Sequence, residues 1–161
     1  MSSMSLDSRA LRNAFGRFAT GICVVTANAA EQGPVGMTIN SFSSVSLDPP
    51  LVMWNLQNNS DCFEIFTQTR QFAINILADD QLELSRLYSR KNEHGLRPQD
   101  YRIGRNGAPV LRGALAAFEC DLWRSYEGGD HVLLVGRVKE LHNRPTGKPL
   151  LFFGGSYREL R

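Results

Sequence analysis

The chain has 161 residues, 42% apolar and 21% charged, with a formal net charge of +2. That is enough chain to bury one core without disulfides or a structural metal, and the balance excludes a disordered segment, a membrane helix and a nucleic-acid binder recruited by bulk charge. Residues 1–7 lack a basic-then-apolar leader pattern, and Cys23, Cys62 and Cys120 are three separated thiols among apolar neighbours. The expectation is one cytoplasmic domain with reduced, buried cysteines, no zinc-type spacing and no membrane contact.

Leu6, Ala10, Leu11, Ala14, Phe15 and Phe18 fall on one stripe, which predicts an amphipathic helix capped by Ser5 and ending near Thr20 and Gly21. Residues 22–27 are a β-branched run expected to form a strand buried on both faces. After a turn at Gln32, Gly33 and Pro34, residues 35–40 and 42–46 read as extended, and Pro49-Pro50 forbids a helix before a strand over 51–56. Asn58 to Ser60 form a capping cluster for a short helix carrying Phe63 and Phe66 to about Arg70. Strand character returns over 72–78, and a second short helix after Asp79 and Asp80 places Leu84, Leu87 and Tyr88 on one face.

Residues 89–107 are polar and rich in Arg, Asn and Gly, so they read as a long irregular excursion. Beyond it Ala116, Phe118, Cys120 and Leu122 alternate with Ala117, Glu119, Asp121 and Trp123, a half-buried strand. The turn at 127–130 then leads into a long strand over 131–141, an antiparallel hairpin, and residues 150–153 make a last strand. About seven strands joined by short turns predict a mainly β fold with small helices, a closed antiparallel barrel rather than a doubly wound sheet. There is no internal repeat.

Between Gly36 and Asn55 the chain concentrates hydroxyl and amide side chains beside apolar anchors. Thr38, Asn40, Ser41, Ser43, Ser44 and Ser46 are the side chains a flavin would need: donors at its carbonyl and N1/N5 edge, an apolar wall, and hydroxyl partners for its phosphate. The same residue types also face water on an extended edge or satisfy turns.

Four motifs in order and spacing settle the choice: Phe18-Ala19-Thr20-Gly21 before Cys23-Val24-Val25-Thr26; Gly36-Met37-Thr38-Ile39-Asn40-Ser41-Phe42-Ser43-Ser44-Val45-Ser46 with Asp48-Pro49-Pro50-Leu51-Val52; Phe72-Ala73-Ile74-Asn75-Ile76-Leu77; and Gly129-Asp130-His131 with Gly136-Arg137-Val138. From Phe15 to Tyr157 the chain resembles the flavin reductase-like family, FMN-binding split-barrel reductases that serve two-component flavin monooxygenases. The resemblance implies that Thr38, Asn40, Ser41 and Phe42 line the isoalloxazine and ribityl chain, with Ser43, Ser44, Val45 and Ser46 close behind. The free N–H groups and dipole at the start of the short helix that Asn55, Asn58 and Ser60 open favour the flavin phosphate there, with Ser85 and Arg86 as rival partners. His131 and Tyr157 would meet the nicotinamide, whereas His94 and His142 carry no such support and read as surface residues.

The reaction so implied is hydride transfer from NADH or NADPH to FMN or FAD, which needs no protein nucleophile, base or metal. No Gly-x-Gly-x-x-Gly stands between a strand and a helix, so the nicotinamide must bind without a Rossmann domain. Arg90, Lys91, Arg97 and Arg102 in the 89–107 segment are candidate phosphate contacts or a solvated charge run. The resemblance further implies a homodimer and a separate oxygenase component. A split-barrel carrier or sensor without fast turnover is the alternative reading; a nucleic-acid partner is not expected, because Trp54, Trp123 and the tyrosines are scattered rather than set along a basic stripe.

Overall fold

The computed structural model describes residues 5–161, so the leader reading over 1–7 lies mostly outside the described residues. The first helix, α1 (Ser8–Phe15), is shorter than its apolar stripe because Asp7, not Ser5, caps it. The Asp7 carboxylate accepts from the N–H groups of Arg9 at 3.3 Å and Ala10 at 3.2 Å. No residue of α1 is buried, and Leu6, Phe15 and Phe18 stay exposed, so its apolar stripe serves no core within the chain.

After β1 (Thr20–Gly21), strand β2 (Cys23–Ala29) is buried on both faces as its composition predicts. β3 (Gly33–Ile39), β4 (Ser43–Leu47) and β5 (Pro50–Gln57) follow the expected order. α2 (Phe63–Gln68), β6 (Gln71–Ile76) and α3 (Leu82–Leu87) come next. The 89–107 excursion is more ordered than its composition suggests. A turn of 3₁₀ helix at Pro98–Asp100 leads into β7 (Tyr101–Ile103), which pairs with β8 (Pro109–Leu111). The long hairpin is β9 (Ala116–Gly128) and β10 (His131–Asn143), and β11 (Leu150–Phe153) turns through Gly154 and Gly155, both at positive φ, into β12 (Ser156–Glu159). Twelve strands stand where about seven were expected, because two- to four-residue strands carry too little periodicity to read.

Seven strands form one antiparallel sheet in the order β3-β2-β6-β9-β10-β5-β4, flanked by β1-β11-β12 and by β7-β8. Its first and last strands, β3 and β4, are consecutive in sequence with only Asn40, Ser41 and Phe42 between them. The three-residue link holds the end of β3 close to the start of β4, although β3 and β4 do not pair with each other. The outer edge of β3 is instead covered by the 88–96 segment: Gly36 N–H donates to His94 O at 2.8 Å, Thr38 N–H to Tyr88 O at 3.1 Å, and Leu96 N–H to Pro34 O at 3.0 Å.

In the main core, Trp54 meets Phe66 and Phe72 edge-on at 5.2 and 6.2 Å between ring centroids, with Val25, Ile74, Cys120 and Leu134 packed around them. Gly136 is required by this packing, since a Cβ there would lie 2.6 Å from Phe72 and 2.9 Å from Cys120. Ile22, Val24, Leu77, Tyr88, Leu111 and Leu150 form a second core on the other side of β2, which is why that strand is apolar on both faces. The three cysteines are buried and unpaired, as expected. Glu119 departs from the half-buried pattern read for β9: it is fully buried, on the face where alternation expected solvent.

Candidate functional site

The place where the sheet ends approach is a polar groove. One part, about 260 Å³, is lined by Met37, Thr38, Asn40, Ser41, Asn55 and His131, among others; it continues past Met37, Thr38 and Ser60 into a part of about 430 Å³ bounded by Asp61, Lys91 and His94. The end of β3, the 40–42 link, the end of β5 and the start of β10 supply these walls: the link follows β3 directly, and β5 pairs with β10 with Gln57 opposite His131.

Each polar side chain has a local cause for its position. Ser41 Oγ accepts from the Asn55 N–H at 3.0 Å and donates to the Asn55 carbonyl at 3.3 Å, so it holds the link against β5 in place of a sheet ladder. Thr38 Oγ1 donates to the Ser85 carbonyl at 2.8 Å, tying β3 to α3. Ser60 Oγ accepts from the Cys62 N–H at 3.1 Å. Asn55 Oδ1 is buried without a hydrogen-bond partner, an unsatisfied acceptor on the groove wall. A carboxylate only accepts, so the 2.6 Å contact to Asp130 makes His131 Nδ1 the donor and leaves Nε2 without a protein partner. The hydrogen bond and the imidazole charge lower the Asp130 carboxyl below its ordinary range.

The residues named from the sequence fall into four places. Thr38, Asn40, Ser41, Asn55, Ser60 and His131 meet in the groove. Ser85, Arg86 and Tyr157 form a neighbouring cluster behind Thr38: Ser85 is buried with its hydroxyl 2.8 Å from Tyr157 OH, and the Arg86 guanidinium lies 5.7 Å from the centre of the Tyr157 ring. Phe42 stacks on Phe118 at 5.7 Å and packs against the core rather than lining the groove. Ser43, Ser44, Val45 and Ser46 lie on β4, the terminal strand, with its outer edge unpaired. The cap expected from Asn58 to Ser60 is not made: Cys62 occupies the N-cap of α2 without a side-chain bond, and the helix has six residues.

His94 and His142 are not the surface residues they were read as. His94 Nδ1 meets Gly36 O at 3.0 Å and Nε2 meets Asp61 at 2.9 Å; both partners are acceptors, so both nitrogens donate and the ring clasps the 88–96 segment to β3. Burial raises the Asp61 carboxyl, but the Asn92 N–H and His94 lower it further, leaving it below its ordinary range. Asp61, Cys62 and His94 place ligand atoms within 4.8 Å of one another. Burial first, and then the Asp61 charge, push the Cys62 thiol up to about 12, so the sulfur keeps its proton and the group acts as a hydrogen-bonded clasp. His142 serves the buried Glu119, as described below. Sequence reasoning missed Met37, Asp61 and His94 as groove residues, because only the folded 88–96 segment brings His94 to β3, together with Lys91, one of the candidate phosphate contacts. Of the other cations in the 89–107 segment, Arg90 pairs with Glu93 and Arg97 with Asp100, and Arg102 lies on His142.

Residues 15–161 match the family model described as a flavin reductase like domain, and the chain belongs to that family. It is 45% identical to an FMN reductase (NADH), SmoA, of Agrobacterium fabrum over 94% of this chain and 85% of that one. It is 33% identical, over 96% of this chain and 83% of the relative, to the reductase subunit HsaB of a flavin-dependent monooxygenase of Mycobacterium tuberculosis. Among solved structures, an NADH:FAD oxidoreductase, SgcE6, of Streptomyces globisporus in complex with NAD and FAD fragments superimposes with a TM-score of 0.90 at 36% identity, covering 99% of this chain and 98% of that one.

Proposed function

We propose that this chain is an NAD(P)H-dependent flavin reductase that moves a hydride from NADH or NADPH to FMN or FAD and supplies reduced flavin to a separate oxygenase component. The observation that carries the reading is the continuous groove from His131 to His94, walled by the polar side chains of Thr38, Asn40, Ser41 and Ser60. The carbonyls and N–H of an isoalloxazine and the hydroxyls of a ribityl chain are partners of the kind such a wall meets. Flavin supplies the hydride-accepting chemistry when bound.

The chain's own residues then have positioning roles. Asn40 offers an exposed amide, and Ser41 keeps Asn55 and the 40–42 link in register. His131, oriented by Asp130, presents Nε2 where a nicotinamide amide would enter. Tyr157 and Arg86 stand beside Thr38 through the shared Ser85, which supports a second nucleotide contact there. No acid, base or metal is asked of the protein; its work is to hold two rings in contact and keep polar groups preorganised around them.

The finer architecture belongs to the same proposal. A closed split barrel is supported by the three-residue link between the two ends of the main sheet. A homodimer is supported by apolar side chains left in water: Leu47 on β4 is 96% exposed, and Val45, Trp123 and Tyr126 are exposed too. A cytoplasmic location is supported by three buried thiols, all unpaired. Mixing the protein with FMN or FAD and NADH or NADPH without oxygen, and following the visible flavin band, tests the reading. Bleaching at enzymatic rates is the expected result, and tight flavin binding without bleaching would leave a carrier or sensor instead.

A further inference from the structure

At the other end of β10 from His131 there is a second cavity, about 350 Å³, between the β7–β8 hairpin, the start of β9 and the end of β10. His142, on its wall, lies eleven residues along the strand from His131. At about 3.3 Å per residue, that is roughly 35 Å of strand, so this cavity is separate from the groove and its argument does not rest on flavin chemistry.

Three arginines line it, Arg102, Arg112 and Arg144, over a floor that includes the buried Leu111 and Ala117. Among the described residues none of the three guanidiniums has a carboxylate within ion-pair distance; the arginine ion pairs are those of Arg90, Arg97 and Arg105. Two of the three are fixed by the protein. Arg144 donates to Gly113 O at 2.9 Å and to Thr146 O at 2.7 Å. Arg102 donates to His142 Nδ1 at 3.1 Å, since a guanidinium has no acceptor. His142 Nε2 must then carry the proton and donate to Glu119 at 2.5 Å.

The fully buried Glu119 is thus linked to Arg102 through this imidazole. Glu119 also accepts from the Asn106 N–H at 3.0 Å. A buried carboxylate that the groove does not use, orienting an imidazole that orients a guanidinium, is a preorganised support of the kind that surrounds binding sites. The cavity it supports is lined by three guanidiniums, none of them in an ion pair among the described residues, a state that an anion would relieve.

We propose that this cavity binds a small organic carboxylate with a compact apolar body, its carboxylate held by the Arg102, Arg112 and Arg144 guanidiniums and its body on the Leu111 and Ala117 floor. Planar forks match a carboxylate bidentately, and the volume lies near the lower end of small-molecule sites. Benzoate is the probe. Calorimetric titration of the full chain with benzoate should give saturable one-to-one binding at about millimolar or tighter affinity, undisturbed by saturating FMN.

Arg112→Ala, whose parent side chain makes no hydrogen bond among the described residues, should weaken benzoate at least about tenfold, with thermal midpoint and flavin reduction unchanged. Arg102→Gln, which keeps a donor for His142 but removes the charge, should weaken benzoate likewise, with flavin reduction unchanged. Absence of saturable benzoate binding, competition by FMN, inorganic phosphate binding more tightly than benzoate, or unchanged affinity in either variant would each overturn the assignment. Loss of flavin reduction in the parent chain would count against the groove and not against this site.

Discussion

The two ends of β10 hold the same pair of residue types and use them differently. At one end His131 is bound to Asp130, whose side chain is 89% exposed; at the other His142 is bound to Glu119, which is fully buried. The exposed pair costs little and gains little, so it is free to turn an imidazole toward an incoming ring. The buried pair has no water to fall back on. Its carboxylate survives only because the Asn106 N–H, His142 and, at longer range, Arg102 all act on it, and in return it fixes one tautomer and one rotamer. Exposure, not residue identity, separates a contact that meets ligand from one that builds the wall.

The largest effect should come from breaking the buried end. Glu119→Ala strands the Asn106 N–H and the His142 Nε2–H, and should cost about 3 kcal/mol of stability, read as a drop in the thermal unfolding midpoint. A loss no larger than that of an Asp130→Ala control would erase the contrast drawn here. At the groove, Asn40→Ala and Ser41→Ala should each weaken flavin binding about tenfold while leaving the fold intact, measured by fluorescence titration. Unchanged affinity in both would move the flavin out of the groove.

His131→Ala should raise the apparent KM for the nicotinamide about fivefold and shift the flavin KM less; equal shifts would remove the nicotinamide role. The smallest effect concerns acid. Glu119 and Asp61 are both lowered in the fold: burial raises each, and hydrogen bonds and nearby charge more than reverse it. Their contribution is complete above the ordinary carboxylate range and is lost as pH falls through the lowered values. Glu119→Gln should therefore lose less stability on acidification than the parent, compared through unfolding midpoints across pH.

Long elements were legible because pattern and burial agree in them: β2 from its β-branched run, and the β9–β10 hairpin from alternation around a Gly-Gly turn. Half of the groove was legible for a different reason. Thr38, Asn40 and Ser41 lie in one motif-bearing stretch, which enters the groove as a unit. Phe42, which the resemblance set beside the flavin, also stacks on Phe118 from a strand seventy-odd positions away, a contact no local pattern records. Asp61 and His94 escaped notice since neither sits in a motif. Only the 88–96 segment folding over the edge of β3 brings them together. Glu119 was read as solvent-facing because strand periodicity assumes one wet face, and the 104–108 turn covers the face that should have been wet.

By itself the sequence determined the mainly β class, the order of the long strands, the reduced state of the cysteines and the family, since each follows from local composition or from motifs in fixed order. The tertiary structure alone decided that separate strand ends share a groove, which hydroxyls are spent on backbone and which acceptor is left unpaired, and that two histidines serve carboxylates of opposite exposure. Those are matters of distance between segments far apart in the chain, where burial sets the strength of every polar contact and no local pattern records it.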